Sequence, residues 1–211
     1  MIGADRCHHS RPGGLMPRFL NDMRLAAIGC WMIVTGNAAG QTYFDMSIDG
    51  FWRSFRWAFV LAVCDTLDAV IGHSTALVGD DAALPVNYVL LIAVNIIASL
   101  LTFFAFPIVV ALLAKYMGLS QRYAPYIIVR NWLTVFLSFA VYILELLSYA
   151  DIFGDDVRLI LVLALYAATL YTGTMNARML LQTPYSLSFG FALMDFLMAI
   201  LIGAAAMQLV G

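Results

Sequence analysis

The run YVLLIAVNIIASLLTFFAFPIVVALL, residues 88–113, carries no charged side chain. About 20 apolar residues of α-helix cross the roughly 30 Å hydrocarbon core of a bilayer, so this run is long enough to cross with a tilt. Pro107 removes one backbone donor inside it and should kink the helix there. Similar stretches lie on both sides. Working outward, apolar segments occupy about 57–75, 126–149, 159–181 and 186–210. The expected fold class is all-α: a polytopic membrane bundle of five transmembrane helices covering 57–211.

The Lys and Arg residues orient these segments. Arg6, Arg11, Arg18, Arg24, Arg53 and Arg56 precede the first segment. Lys115, Arg122 and Arg130 fall between the second and third, and Arg178 between the fourth and fifth; Arg158 alone falls on the other side. Basic short loops stay in the cytoplasm, so the N-terminus is expected inside and the C-terminus in the periplasm. Trp52, Trp57, Tyr116, Tyr123, Tyr126 and Tyr185 gather at the same inner boundary, where amphipathic rings are favoured. The first segment is the weakest, because Asp65 and Asp68 each oppose insertion by about 2.5–3.5 kcal/mol at the bilayer centre. Its crossing is needed for the later basic loops to stay on the inner side.

Composition agrees: 63% hydrophobic and 11% charged residues, with a mean hydropathy of +0.89, are too apolar for a soluble domain of this length. Net charge is −2, with no basic patch suited to nucleic acid. Cys7, Cys30 and Cys64 are odd in number and widely spaced, which gives neither a disulfide framework nor a metal-ligand pattern. Residues 1–15, with His8 and His9, read as a disordered leader ahead of a start at Met16. Residues 16–56 read as a cytoplasmic interfacial helix and linker, since Met16, Phe19, Met23, Ala26, Cys30 and Ile33 recur at helical spacing. Leu25 to Val34 has the length of a signal-peptide core, but Thr35, Gly36 and Asn37 make a poor cleavage site.

Acids inside the spans are the leads to function, because a charge in lipid must be paired, hydrated or neutralised. Asp65, Asp68, Asn95, Glu145 and Asp195 form a candidate intramembrane polar site. These groups either bind a cation or relay protons, or they are protonated or hydrogen-bonded to Asn95, Thr66, Tyr142 or Ser148 inside the bundle. The small residues Ala164, Ala168, Thr172 and Asn176 make one face of the fourth segment, which should meet another helix. Asp65-Thr66-Leu67-Asp68-Ala69, with Asp80 and Asp81 beyond, is similar to the metal-binding acidic pairs of membrane enzymes that transfer alcohol phosphates to lipids. Ala69 stands where those enzymes need Gly, and their following Arg is missing. Gly72-His73-Ser74-Thr75-Ala76 imitates a nucleophile elbow but follows a helix instead of a strand. No catalytic residue, metal site or cofactor is assigned.

Asp49-Gly50-Phe51-Trp52-Arg53-Ser54-Phe55 and Arg122-Tyr123-Ala124-Pro125-Tyr126-Ile127, leading to Asn131-Trp132, resemble stretches of small inner-membrane proteins of proteobacteria. Those proteins are loosely similar to the Yip1-type five-helix membrane family. The aspartate-leucine-tyrosine-glycine-proline motif of the eukaryotic members is missing here. The resemblance implies a non-enzymatic multi-pass protein of the bacterial inner membrane with a structural or partner-binding role. A small proton- or cation-coupled permease is the alternative and a metal-dependent lipid-modifying enzyme the third reading. Expected partners are the bilayer and either a membrane protein or a second copy. Trp52, Arg53, Arg56 and Trp57 form a candidate lipid-headgroup anchor, each basic group contributing about 1 kcal/mol near an anionic surface.

Overall fold

The computed structural model describes residues 15–79 and 87–210, with side chains at 20–74 and 87–210. The expected leader with Cys7, His8 and His9, and the acids Asp80 and Asp81, lie outside the described residues. Every described element is helical. In chain order these are α1 (Leu15–Val34), a 3-10 helix (Ala38–Tyr43), α2 (Ile48–Phe55), α3 (Trp57–Gly79), α4 (Tyr88–Tyr116), α5 (Ser120–Tyr149), α6 (Asp155–Asn176), a π-helical turn (Ala177–Leu181) and α7 (Tyr185–Val210).

Four helices are long and apolar enough to cross a membrane: α4, α5, α6 continued through its π turn, and α7. The α4 helix, which contains the 88–113 run, is the most apolar, with a mean hydropathy of 2.7. The α3 helix is not among the four; Asp65, Asp68 and His73 interrupt its apolar sequence. It packs on α4 and α5.

The α5 helix is the hub. It touches α3, α4, α6, α2 and α1, while α3, α4, α7 and α6 follow one another around it. Tyr126, Ile127, Ile128 and Val129 are all buried at its start. Residues at successive positions can be buried together only where a helix has neighbours on every side. This central placement also revises the basic-loop inventory. Arg130, counted by sequence with the inner-side basic residues, sits inside α5 and is only 6% exposed. Lys115 and Arg122 remain near the junction of α4 and α5.

The segment before α3 is more structured than a linker. Ser47 caps α2 by accepting from the Gly50 N–H at 3.1 Å, satisfying a donor that a helix start leaves open. Asn37 caps the 3-10 helix in the same way through Ala39 N–H at 3.0 Å. Ala26, Cys30 and Ile33 are buried, as the helical stripe requires; the side chains of Met16 and Phe19 lie outside the described residues. The 3-10 helix presses on α1 through two glycines. A Cβ on Gly40 would sit 2.5 Å from the Gly29 carbonyl oxygen.

Other boundaries follow local chemistry. Asn87 caps α4 through Val89 and Leu90 N–H at 3.1 and 3.2 Å. The expected stop at Gln182-Thr183-Pro184 is present: Gln182 adopts a left-handed conformation (φ 54°) and α7 begins at Tyr185. The small-residue face of α6 is only partly covered. Ala164 is exposed and Asn176 fully buried. A close approach to α7 comes at Gly173, where an added Cβ would lie 3.1 Å from that of Ala192.

Candidate functional site

Three polar features stand out, two in the bundle and one at the end where α1 and α2 pack. The first is built on Pro107. Its ring lacks the N–H that would bond the carbonyl of Phe103, four residues earlier. Arg130 Nη1 donates to that carbonyl at 3.1 Å. The same guanidinium grips Asp195 of α7 with both arms, Nη2 to Oδ1 at 2.7 Å and Nε to Oδ2 at 3.0 Å. The rings of Phe103 and Phe106 lie 5.4 and 5.3 Å from its central carbon, within cation–π range. Next along α5, Asn131 Nδ2 donates to Ser54 Oγ of α2 at 2.9 Å. One cluster thus joins α2, α4, α5 and α7.

Its depth follows from helix geometry. At 1.5 Å per residue, Arg130 and Asp195 each lie about 15 Å from the start of their helices, well inside the bundle. Supporting bonds tie the neighbouring helix ends together. Tyr123 donates to the Pro107 carbonyl at 3.0 Å, Arg122 to the Leu181 carbonyl at 3.0 Å and Asn176 to the Tyr126 carbonyl at 3.3 Å.

The second feature gathers the other acids toward the opposite end of the bundle. Asp65 accepts from Tyr142 at 2.5 Å and from Ser99 of α4. Asp68 accepts from Tyr149 at 3.1 Å, and Glu145 pairs with Arg158 of α6 at 2.8 Å. Asp68 also lies within electrostatic reach of Asp65, Glu145 and Arg158. Asp65, Asp68 and Glu145 therefore belong together, whereas Asp195 belongs to the Arg130 cluster. Asn95 joins neither, because its amide donates to the Leu91 carbonyl of its own helix at 2.9 Å. Of the hydrogen-bond partners expected for the acids, Tyr142 serves; Thr66 and Ser148 bond to carbonyls within their own helices. No group of three or more His, Cys, Asp or Glu among the described residues is arranged to hold a metal ion.

The third feature is a cavity of about 560 Å3 between α1, the 3-10 helix, α2, the start of α3 and the side of α5 that carries Ile128 and Trp132. The expected anchor residues divide here. Trp57 is buried against Trp132, with ring centroids 5.5 Å apart. Arg53 is bound to Asp45 at 2.5 Å. Trp52 is 63% exposed, and Arg56 is exposed on the cavity wall. Hydrogen bonds from Ser47, and then the Arg53 guanidinium, hold the Asp45 carboxyl below the usual carboxylate range. Burial pushes the Cys30 thiol up to about 12, which keeps it in the unreactive protonated form.

Comparison of the chain with protein-family models, with curated proteins and with solved structures finds no match. The sequence offers Arg130, near the inner end of the third span, as the one intramembrane cation for the acids, but not that Asp195 is its partner. The available signal was the spacing of Arg130, ten residues inside a helix that starts at Ser120.

Proposed function

We propose that this chain is a five-span protein of the bacterial inner membrane, N-terminus inside, that acts non-enzymatically through binding at its inner face. The binding partner is a membrane protein, a second copy or lipid, and the resemblance to the Yip1-type layout belongs to the same proposal. The Arg130–Asp195 pair supports it most. The charged groups of this pair are spent joining helices, through the bidentate contact and the Phe103 carbonyl. A solute path would need midplane groups that can exchange partners with water or an ion.

Two observations support the fifth span. Asp65 is served by hydroxyls from α4 and α5, which lowers the desolvation penalty of placing α3 in lipid. Arg53, Arg56, Lys115, Arg122 and Arg178 occur near the helix ends of the expected inner side, which satisfies the positive-inside rule.

One observation favours a second reading, a proton- or cation-coupled permease. Asp65, Asp68 and Glu145 share a cluster with a single cation, Arg158. The two readings separate in proteoliposomes. The binding reading predicts proton and cation leakage equal to that of protein-free vesicles. Flux that disappears in a folded Asp65→Asn, Asp68→Asn, Glu145→Gln triple variant establishes the permease instead. Side-specific labelling of single cysteines placed at Ala82 and Leu209 tests the topology, and the binding reading requires both to be periplasmic.

A further inference from the structure

The cavity beneath α1 and α2 has a wall of mixed charge. Two guanidiniums, Arg53 and Arg56, and two carboxylates, Asp22 and Asp45, line it. Arg53 and Asp45 are already closed on each other. Asp22 and Arg56 are both exposed, and neither side chain has a hydrogen-bond or ion-pair partner among the described residues. Much of the remaining wall is apolar or aromatic, including Trp57, Trp132, Val60 and Ile128.

We infer that this cavity binds the zwitterionic headgroup of a phospholipid carrying a primary amine, with Arg56 on the phosphate and Asp22 on the ammonium. The inference rests on the proposed inner-face binding role and names its ligand. Three properties select this ligand. An anion alone would satisfy Arg56 but bring a second negative charge toward Asp22. A primary ammonium offers three N–H donors to the Asp22 carboxylate, which a quaternary amine lacks. A soluble zwitterion would leave the apolar wall uncovered.

The surface beyond the cavity supplies the reason for a lipid. Val60 lines the cavity and begins a stripe along α3 formed by Val60, Val63, Leu67 and Ile71, exposed by 43, 58, 56 and 41%. These positions fall on one helix face at steps of three and four residues. Acyl chains attached to a headgroup in the cavity can follow this stripe toward the bilayer centre. The volume also fits, since pockets for ligands of this size run from about 300 to 1,000 Å3.

The test titrates the full-length protein in maltoside micelles with dihexanoyl phosphatidylethanolamine, read by tryptophan fluorescence because Trp57 and Trp132 line the site. Expected is saturable binding at least about tenfold tighter than for dihexanoyl phosphatidylglycerol, dihexanoyl phosphatidylcholine or free phosphoethanolamine. Arg56→Gln should weaken binding of both the ethanolamine and glycerol lipids. Asp22→Asn should weaken only the ethanolamine lipid, bringing the two affinities together. Both residues are exposed, so an unchanged melting temperature certifies each variant as folded. Equal affinity for the ethanolamine and glycerol lipids in the wild type, or no effect of either substitution, overturns the inference. Free phosphoethanolamine binding as tightly as the lipid overturns the lipid assignment. These outcomes leave the flux result untouched, so failure of the ligand and failure of the non-transport reading are read separately.

Discussion

The two charged clusters of the bundle solve the same problem in opposite ways. Around Arg130, one cation meets one carboxylate, and its remaining reach is taken by a carbonyl freed by Pro107. Around Asp65, three acids share one arginine, and neutral tyrosine and serine hydroxyls supply the other contacts. The first arrangement is balanced and fixed by geometry from three helices. The second is unbalanced, and its ion pair is partly exposed, with 45% of the Arg158 side chain accessible. Glu145 and Arg158 lie within about a turn of their helix ends, where a charge can draw on headgroups and water, whereas Arg130 and Asp195 lie ten residues inside theirs and are matched within the protein.

The largest effect should come from breaking the balanced cluster. Asp195→Asn leaves Arg130 buried without a counter-charge, and loss of one member of a buried pair costs about 3–5 kcal/mol. Unfolding in mixed micelles, followed by circular dichroism, should show a loss in that range; a change below about 1 kcal/mol would remove the cluster from its structural role. Next comes the link to α2. Asn131→Ala deprives Ser54 Oγ of its donor and should destabilise by about 1–3 kcal/mol. Limited proteolysis should then cut between α2 and α3 faster than in the wild type, whereas unchanged cutting would mean that α2 is held by its aromatic contacts alone.

The unbalanced cluster should respond less. Glu145→Gln breaks a partly exposed pair and should cost about 0.2–1 kcal/mol. A high-salt buffer should shrink the difference, since exposed pairs are screened; a salt-independent loss above about 2 kcal/mol would make this cluster resemble the Arg130 one. The smallest effect belongs to Asp45. Its folded pKa is depressed, so its pairing stabilises above the unfolded value and that contribution is lost as pH falls through the folded value. Asp45→Asn should lower the melting temperature slightly at pH 7. The difference from wild type should shrink as pH falls through the folded value and disappear below it; a difference that persists in strong acid contradicts the assigned cause.

Elements that follow from local pattern were legible in the sequence. The apolar runs mark α4 to α7, the Met16 to Ile33 stripe marks α1, and Thr183-Pro184 marks the break before α7. The 3-10 helix and α2 were not anticipated, because their caps, Asn37 and Ser47, act over two or three residues within a mixed polar stretch. Trp57 read as an exposed anchor, since aromatic residues at a helix start suit the interface. Its ring instead faces Trp132, a contact made between helices far apart in sequence. The same limit applies to the candidate acids. Their positions were visible, but the grouping of Asp65, Asp68 and Glu145 apart from Asp195 depends on which helices touch. The free carbonyl opposite Pro107 is a further case. Proline announces an unpaired acceptor, while the chain alone does not say that an arginine from α5 will find it.

A double-mutant cycle on Arg130→Met and Asp195→Leu measures the central claim directly, that the Arg130–Asp195 pair joins helices. The two single variants should each lose several kcal/mol, and the double variant should recover much of that loss, giving a coupling above about 2 kcal/mol. Additive losses with coupling near zero would contradict the account, because the two side chains would then not act as a pair.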